Sequence, residues 1–522
     1  MLAYLRKLTK KEVFWPLLIF SVALVLRLHN SSELFFWNID EDRFALTAKR
    51  ILVDHRPVLI GYSLPGGEIY PGPIFPYILS LWYLIVRMNP FGLAILASIF
   101  GALATFLVYK IGSNIFESKT VGLFASLIYA LSFLANVYSR VLTELTLVPI
   151  LSLLVYFVLY QNIKYKKPKN LIWLGAVLLV ASQNEGSSYS LLALVLVSFL
   201  IFRFKVPVKK LLNIISLFIL FNLPVLFFEI RHNFFITNAF IQFFFKRTYA
   251  QGPIINFDSI IGSLEIFPRT LSRLIFVSGP NSIADQILPC SDVIYLRESS
   301  VPMFLLLASI VIIAFFLFKT LRDKKAIGRK IIAIHLTVMF LGIVLYRLFF
   351  PGWLYEWMLV IFFPAFVLIL GYALENIYGW ARLGKIFVLI LLGTFIVYNL
   401  VFLLKVKENF GLSAKVSAVK YALSQIGNRP FYLDSIGSCY AQGYNYLFWY
   451  LGNFPTHSYS DDQFTPTYYP RSVTLKPSLG VVMVNPSNQE TENFYQKYND
   501  YLQKIKVKQK VGSIEVLIVE DQ

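Results

Sequence analysis

The sequence predicts an α-helical polytopic membrane protein with about eleven transmembrane helices and a small C-terminal extracytoplasmic α/β domain. Three observations predict this fold class: the composition, long uncharged runs bounded by Lys and Arg, and alternating helix and strand patterns in the last part of the chain. Hydrophobic residues make up 57% of the 522 residues and charged residues 15%, with a mean hydropathy of +0.63. Soluble domains carry roughly 25% charged residues, so a cytosolic globular enzyme is excluded.

The uncharged runs are the candidate membrane spans, because a span needs roughly 20 apolar residues. Val301–Phe318 is the clearest of them. The first run ends at Arg27 without a small-residue cleavage site before Asn30, so we interpret it as an anchor and not as a cleaved signal peptide. The predicted spans are Val13–Leu28, Phe91–Tyr109, Thr120–Tyr138, Val141–Tyr160, Asn170–Ser182, Ser187–Phe202, Leu211–Phe228, Val301–Phe318, Ile331–Leu348, Leu354–Leu374 and Lys385–Leu404.

The distribution of basic residues predicts the orientation. The chain has 48 Lys and Arg against 29 Asp and Glu, a net charge of +19. A cytoplasmic N-terminus places most basic loops in the cytoplasm, so topology explains the charge and nucleic acid is not an expected partner. We expect a multi-pass plasma-membrane protein with its C-terminal domain outside. The apolar segment Pro73–Val86 would invert the later loops if it spanned, so with about 14 residues it is interpreted as a juxtamembrane or re-entrant helix.

The predicted domains are a membrane module over residues 1–404, with outer loops at 29–72 and 229–300, and an extracytoplasmic α/β domain over 405–522, called the tail below. Cys290 and Cys439 both fall outside the membrane and could pair or stay separate. The elements predicted in the tail are helices at Ala414–Ile426, Tyr440–Tyr450 and Thr491–Ile505, strands at Phe431–Leu433 and Gly480–Val484, and a final pair of strands through Val519.

The acidic residues gather at the outer ends of the predicted spans, which suits a reaction centre at the outer boundary better than coupled transport. The segment Trp37–Leu52 follows the first span, and Phe44 and Ala48 recur at helical spacing, so we expect a helix on the membrane surface. Asp40 would begin this helix. It is either an N-cap, or a general base that accepts a proton from an acceptor hydroxyl or amine.

Five motifs follow one another in the first part of the chain. They are Asp40-Glu41-Asp42-Arg43-Phe44-Ala45, Tyr70-Pro71-Gly72-Pro73 with Tyr77, Tyr109-Lys110-Ile111-Gly112 with Phe116, Ser139-Arg140 with Glu144, and Leu223-Pro224 through Phe228-Glu229-Ile230-Arg231-His232-Asn233.

Over roughly the first 240 residues, these motifs resemble the Asp-Glu-x-Arg-Tyr-Ala signature and the later elements of the GT-C glycosyltransferases. That family includes protein O-mannosyltransferases and the lipid A aminoarabinose transferase. Two features depart from the family pattern: Phe91–Leu96 has no Arg where the family often carries one, and Gly72 separates the two prolines of the Pro-rich element.

The resemblance implies a GT-C-like bundle that transfers one monosaccharide from a polyprenyl-phosphate-linked donor, with inversion at the anomeric carbon. It implies Asp40 as the base and Glu41 as the group that orients the base or the sugar. Arg140 and Arg231 would bind the carrier phosphate, since Arg makes two-pronged contacts with phosphate oxygens. Alternatively, Arg140 is an interfacial arginine, and Glu144, one helical turn away, forms a structural ion pair with it.

The expected partners are the donor, membrane lipid and a protein, lipid or glycan acceptor. We expect no obligatory metal or other cofactor, although Asp40, Glu41 and Asp42 could hold a divalent cation. The alternatives are a polytopic transporter or lipid flippase, and a catalytically inactive scaffold. An interfacial aromatic belt accounts equally well for Tyr355. The further predicted pocket residues are Arg43, Tyr70, Pro73, Tyr77 and Glu144, which belong to the motifs of the resemblance, and Glu185, Tyr355 and Glu356, which lie at the outer ends of predicted spans.

Overall fold

The computed structural model describes residues 10–63, 69–166, 170–242, 263–277, 301–349, 356–437, 441–460, 477–485 and 492–521. Within these ranges the chain is mostly helical and ends in one sheet. Seven helical segments are long and apolar enough to cross a membrane, and shorter apolar helices accompany them. The fold class is therefore as predicted, and the count of about eleven spans stays a prediction.

The helices before the tail occur in the following order, with 3-10 turns at Glu144–Thr146, Gly186–Ser188 and Glu356–Phe362. They are α1 (Lys10–Leu28), α2 (Ser31–Leu34), α3 (Ile39–Leu52), α4 (Ile74–Ile85), α5 (Phe91–Ile115), α6 (Lys119–Leu131), α7 (Phe133–Val137), α8 (Val148–Tyr165), α9 (Leu171–Ser182), α10 (Tyr189–Ile201), α11 (Val208–Arg231), α12 (Phe235–Ile241), α13 (Ile266–Ile275), α14 (Met303–Arg322), α15 (Ile327–Phe349), α16 (Phe363–Tyr378) and α17 (Arg382–Lys405).

The core of the bundle is formed around α5 and α6. Helix α5 packs against α1, α6 and α8, and α6 packs against α16. Small buried side chains such as Ala97 and Ala125 allow these helices to approach closely, and Leu368 of α16 packs against Gly112 of α5. In contrast, α11 leaves most of its apolar side chains exposed, as expected of a helix that faces lipid.

Two predicted spans have a different local structure. The predicted span Thr120–Tyr138 is interrupted at Ser132. Ser132 is the N-cap of α7, and its hydroxyl accepts a hydrogen bond from the Ala135 amide. The guanidinium of Arg27 donates to the carbonyls of Tyr129 and Ala130, which the break leaves without helical partners. The predicted span Val141–Tyr160 begins as a 3-10 turn at Glu144, and α8 itself begins at Val148.

The apolar segment Pro73–Val86 forms a short helix, as predicted. Helix α4 has 12 residues, too few to cross a bilayer without help. Cys290 and Cys439 both lie outside the described residues, so their pairing stays a prediction.

The tail combines helices and strands as predicted, and its strands form one five-stranded sheet. The strand order is β2-β1-β3-β5-β4, with β2, β1 and β3 parallel and β5 antiparallel to both β3 and β4. Helix α18 packs against β5 and β4, and α20 packs against β1. The sequence pattern did not predict the two-residue strand β2. The elements are α18 (Leu412–Ile426), β1 (Tyr432–Ile436), α19 (Asn445–Tyr450), β2 (His457–Ser458), β3 (Leu479–Val484), α20 (Glu492–Leu502), β4 (Ile505–Val511) and β5 (Ile514–Glu520).

Candidate active site

The acidic motif forms the first turn of α3. The N-cap of this helix is Asn38, which is extended, and the backbone N–H of Asn38 donates to Oε2 of Glu41 over 2.9 Å. This is the reach-back contact of a capping box. The interpretation of Asp40 as the N-cap is therefore wrong, because the helix begins two residues earlier than expected.

Asp40 lies on the solvent side of this turn. Its side chain is 39% exposed, and its Oδ1 accepts a hydrogen bond of 3.0 Å from Nη2 of Arg43, one turn further along α3. Its Oδ2 has no partner within the part of the chain that the structure describes. A carboxylate held by one oxygen and accessible at the other can still accept a proton.

Beside Asp40 lies a cavity of about 530 Å³, which we call the basic cavity. Arg43, Thr47 and Arg50 line it from one face of α3, and Arg231 and His232 line it from the end of α11. Among the described residues, no carboxylate contributes to its lining. Its volume lies within the range of small-ligand sites, and its charge suits an anionic ligand.

The carboxylate of Glu229 stabilises the part of the cavity lining that includes Arg231. Glu229 accepts hydrogen bonds from the backbone N–H groups of Ile236 and Thr237, at 2.8 and 2.9 Å, and so caps α12. The chain turns sharply between α11 and α12, where Phe234 has a φ of 57°. This turn directs the last residues of α11 and the first of α12 toward the basic cavity.

The Pro-rich element forms the wall between α3 and α4. Tyr70 lines the basic cavity, and the hydroxyl of Tyr77 donates to the Val58 carbonyl over 3.0 Å. Pro73 is the N-cap of α4. A Cβ atom at Gly72 would come within 2.1 Å of the end of the Gln183 side chain, which would have to move to accommodate it.

Glu41 and Asp42 point away from the cavity. Glu41 is 1% exposed, and its Oε1 has no hydrogen-bond partner among the described groups. Burial, and then the negative charge of Asp40, raises the pKa of Glu41 to about 8. Asp42 is buried as well, and its Oδ1 accepts from the backbone N–H of Tyr446 in the tail over 2.9 Å.

Two further predicted pocket residues lie near Asp40. Arg43, Asp40 and Glu185 are the charged groups that act on Glu144. Glu185 is buried, which raises its pKa, and its carboxylate caps the 3-10 turn that begins at Gly186. The charges of this region therefore act on Glu144, but neither Glu144 nor Glu185 lines the basic cavity.

Arg140 takes a different place from the one expected. It is 2% exposed, its Nη2 donates to the Leu26 carbonyl over 3.0 Å, and it does not line the basic cavity. The predicted ion pair with Glu144 is wrong, because the residues between them are not helical, and within the described ranges no ion pair joins the two. Its Nε and Nη1 have no hydrogen-bond partner there either. Burial, and then the charge of Arg27, lowers the pKa of Arg140 to about 10, so it stays protonated at neutral pH.

Glu356 also lies apart from the cavity. It forms a buried ion pair with Arg273 of α13, and the Tyr138 hydroxyl donates to its Oε1 over 3.4 Å. This arrangement holds α13 against the bundle. Tyr355 lies outside the described residues.

The sequence-based interpretation missed Arg50 and Tyr62 as cavity residues. Arg50 could have been found, because Arg43, Thr47 and Arg50 are spaced on one face of a helix. Tyr62 could not, because its ring reaches the site through the fold of the loop, where the Arg43 guanidinium lies 4.8 Å from its centroid.

The acidic motif does not gather its carboxylates around one point. Asp40 binds Arg43, Glu41 accepts a hydrogen bond from the Asn38 amide, and Asp42 binds the Tyr446 amide of the tail. Across the described ranges, no three His, Cys, Asp or Glu side chains are grouped as metal ligands.

Comparisons with known proteins agree with this architecture. Residues 70–228 match the family model described as dolichyl-phosphate-mannose-protein mannosyltransferase. No curated protein matches the sequence significantly.

Among solved structures, ArnT from Cupriavidus metallidurans bound to undecaprenyl phosphate is similar, with a TM-score of 0.60 and 12% identity over 97% of this chain and 98% of that chain. The oligosaccharyltransferase from Archaeoglobus fulgidus in the apo form has a TM-score of 0.54 and 11% identity, over 87% of this chain and 65% of that chain. At these identities, the likeness establishes the fold. The protein therefore has the fold of the GT-C membrane glycosyltransferases, with a sequence match to the dolichyl-phosphate-mannose-protein mannosyltransferase family over residues 70–228.

Proposed function

We propose that the protein transfers a monosaccharide from a polyprenyl-phosphate-linked donor to a protein, lipid or glycan acceptor at the outer face of the plasma membrane. The observation that carries this proposal is the Asp40–Arg43 pair beside the basic cavity. A site that removes a proton from the acceptor and stabilises a departing phosphate needs a carboxylate next to several cations. The GT-C fold and the family match support the same reaction class.

In the proposed reaction, Oδ2 of Asp40 accepts the proton of the acceptor hydroxyl or amine as the acceptor atom attacks the anomeric carbon. The bond between that carbon and the phosphate oxygen breaks, and the bonding electrons leave with the carrier phosphate. A single displacement inverts the anomeric configuration. Arg43 holds the other oxygen of Asp40 and fixes the direction of the carboxylate.

The charge that develops on the phosphate requires cations in the cavity. Arg231 and Arg50 line it and are the residues that we assign to the carrier phosphate. Arg140 was also predicted for this role, but its burial and its bond to the Leu26 carbonyl support a structural role at the end of α1. The exposed rings of Phe234 and Phe235 beside the cavity suit the isoprenoid chain of the donor.

The proposal is tested by sugar transfer from a panel of radiolabelled polyprenyl-phosphate monosaccharides, with host membrane extract as the acceptor source. Purified wild type and Asp40→Asn are compared. We expect transfer by the wild type to identify the donor sugar, and the variant to lose about 100-fold in rate because it lacks the base.

Asp54→Asn is the matched control, since Asp54 follows the same helix and binds Lys49 away from the cavity. This variant should transfer at the wild-type rate. If the wild type consumes none of the donors, the proposed reaction is wrong. Equal transfer rates for wild type and Asp40→Asn would support the proposed reaction but would show that Asp40 is not its general base.

A further inference from the structure

The tail contacts the membrane module at the first turn of α3. Nε1 of Trp37 donates to the Gly443 carbonyl over 2.8 Å, and the Tyr446 amide donates to Asp42 as described above. The Tyr446 hydroxyl donates to the Met88 carbonyl over 2.5 Å, beyond the end of α4. Tail residues 442–446 therefore bind both the start of α3 and the turn after α4; we call this contact the tail seam.

Gly443 shows how closely the two backbones approach. Its φ is +87°, and a Cβ atom on it would lie 2.6 Å from the carbonyl oxygen and 2.7 Å from the carbonyl carbon of Asn38. Asn38 is the N-cap of α3, so any larger residue at 443 must displace the start of the helix that carries Asp40.

The tail also supplies a buried charge at this contact. Lys415 of α18 is fully buried, and its ammonium donates to the Gln442 carbonyl and lies 4.9 Å from the centroid of the Tyr444 ring. Its charge acts on Glu41, the residue whose carboxylate binds the Asn38 amide. The first turn of α3 is thus held from its own side by Glu41 and from the tail by residues 442–446.

We propose that the tail seam is a positioning part of the active site, which holds the first turn of α3 so that Asp40 keeps its contact with Arg43 at the edge of the basic cavity. This inference rests on the proposed role of Asp40. A reacting group that is displaced by about 1 Å can lose about 100-fold in rate, so the seam acts on catalysis without touching substrate. Asp42, Gly443 and Tyr446 are positioning residues in this scheme.

The test compares Gly443→Ala with Gly452→Ala in the full-length protein. Both glycines are in the tail and have positive φ, +87° and +110°, but a Cβ atom at 452 meets nothing within 4 Å. Both variants therefore carry the strain of an alanine at positive φ, and only Gly443→Ala also clashes with Asn38. We expect Gly443→Ala to lower kcat about 10-fold or more with the KM for the donor unchanged, and Gly452→Ala to match the wild type.

Hydrogen–deuterium exchange of the peptide that covers α3 gives a readout independent of activity. Exchange in its first turn should be faster in Gly443→Ala than in Gly452→Ala. If the wild type transfers no sugar, the proposed function fails and this exchange still decides whether the seam holds α3. Equal exchange and equal kcat in the two glycine variants would overturn the seam.

Asp42 provides a second pair of variants in case Gly443→Ala does not fold. Asp42→Asn keeps an oxygen that can accept the Tyr446 amide, whereas Asp42→Ala removes it. We expect Asp42→Ala to lose kcat with unchanged KM for the donor, and Asp42→Asn to recover most of it. A loss that appears only in KM, or equal kcat in the two Asp42 variants, would contradict positioning.

Discussion

The two sides of α3 carry the same kinds of residue and use them differently. On one side, Arg43 and Arg50 line the basic cavity, and Asp40, which is partly exposed, binds Arg43. On the other side, Glu41 and Asp42 are buried, where Glu41 caps the helix and Asp42 binds the tail. Adjacent carboxylates differ because each residue turns about 100° around a helix.

This difference teaches that an acidic run is not one functional unit. Only Asp40 combines solvent access with a neighbouring cation and a cavity. The two buried carboxylates instead determine where the helix begins and how the tail docks. Variants on the two sides should therefore change different measurements, which allows the comparison to be tested.

After Asp40→Asn, the largest effect in this comparison is expected for Arg231→Ala on the cavity side. Loss of one charged contact to the carrier phosphate should lower kcat/KM for the donor about 10-fold to 100-fold, and Arg231→Lys should recover part of it. The measurement is steady-state sugar transfer with varied donor. Arg56→Ala is the matched control, since Arg56 is exposed in the first outer loop and does not line the cavity. Equal kcat/KM values for Arg231→Ala and Arg56→Ala would show that the basic cavity does not bind the carrier phosphate through Arg231.

The sequence predicted the components of the site better than their arrangement. Helical spacing predicted a helix after Trp37, which forms as α3, and the resemblance implied Arg43, Tyr70 and Arg231, all of which line the basic cavity. Spacing failed for Arg140 and Glu144, because a separation of four residues brings side chains together only in a helix.

Long apolar runs predicted the bundle, and alternating patterns predicted most of the tail elements. The break at Ser132 was not predictable, because the groups that stabilise it come from α1, distant in sequence. The tail seam was not predictable for the same reason, because Trp37 and Gly443 are far apart in sequence and come into contact only in the folded chain. Contacts between distant segments leave no local sequence period.

A smaller effect, on stability, is expected for Glu41→Gln on the tail side. The pKa of Glu41 is about 8 in the folded protein, against about 4.3 in an unfolded chain. Between these values the folded state binds more protons, so the free energy of unfolding falls as pH rises from about 5 to about 8. Gln keeps an oxygen for the Asn38 amide and does not ionise.

Thermal unfolding in detergent between about pH 5 and pH 8 measures this effect. The wild type should lose several degrees of Tm across the range through this group, and Glu41→Gln should show a flatter curve. Asp54→Asn, at an exposed carboxylate after the same helix, should follow the wild type. If Glu41 instead orients Asp40 or the sugar, kcat falls in Glu41→Gln while the two Tm curves stay parallel.

The smallest effect is expected from metal removal. The three carboxylates of the acidic motif bind an arginine, a helix N-terminus and the tail, so they are not directed at a common point. Sugar transfer should therefore proceed at the same rate after treatment with EDTA as after treatment followed by added Mg²⁺ or Mn²⁺. A loss of transfer in EDTA that Mn²⁺ reverses would contradict this expectation and place a cation at Asp40, the partly exposed carboxylate of the motif. That result would add metal binding to the catalytic role of Asp40. It would assign no catalytic role to the buried carboxylates of Glu41 and Asp42.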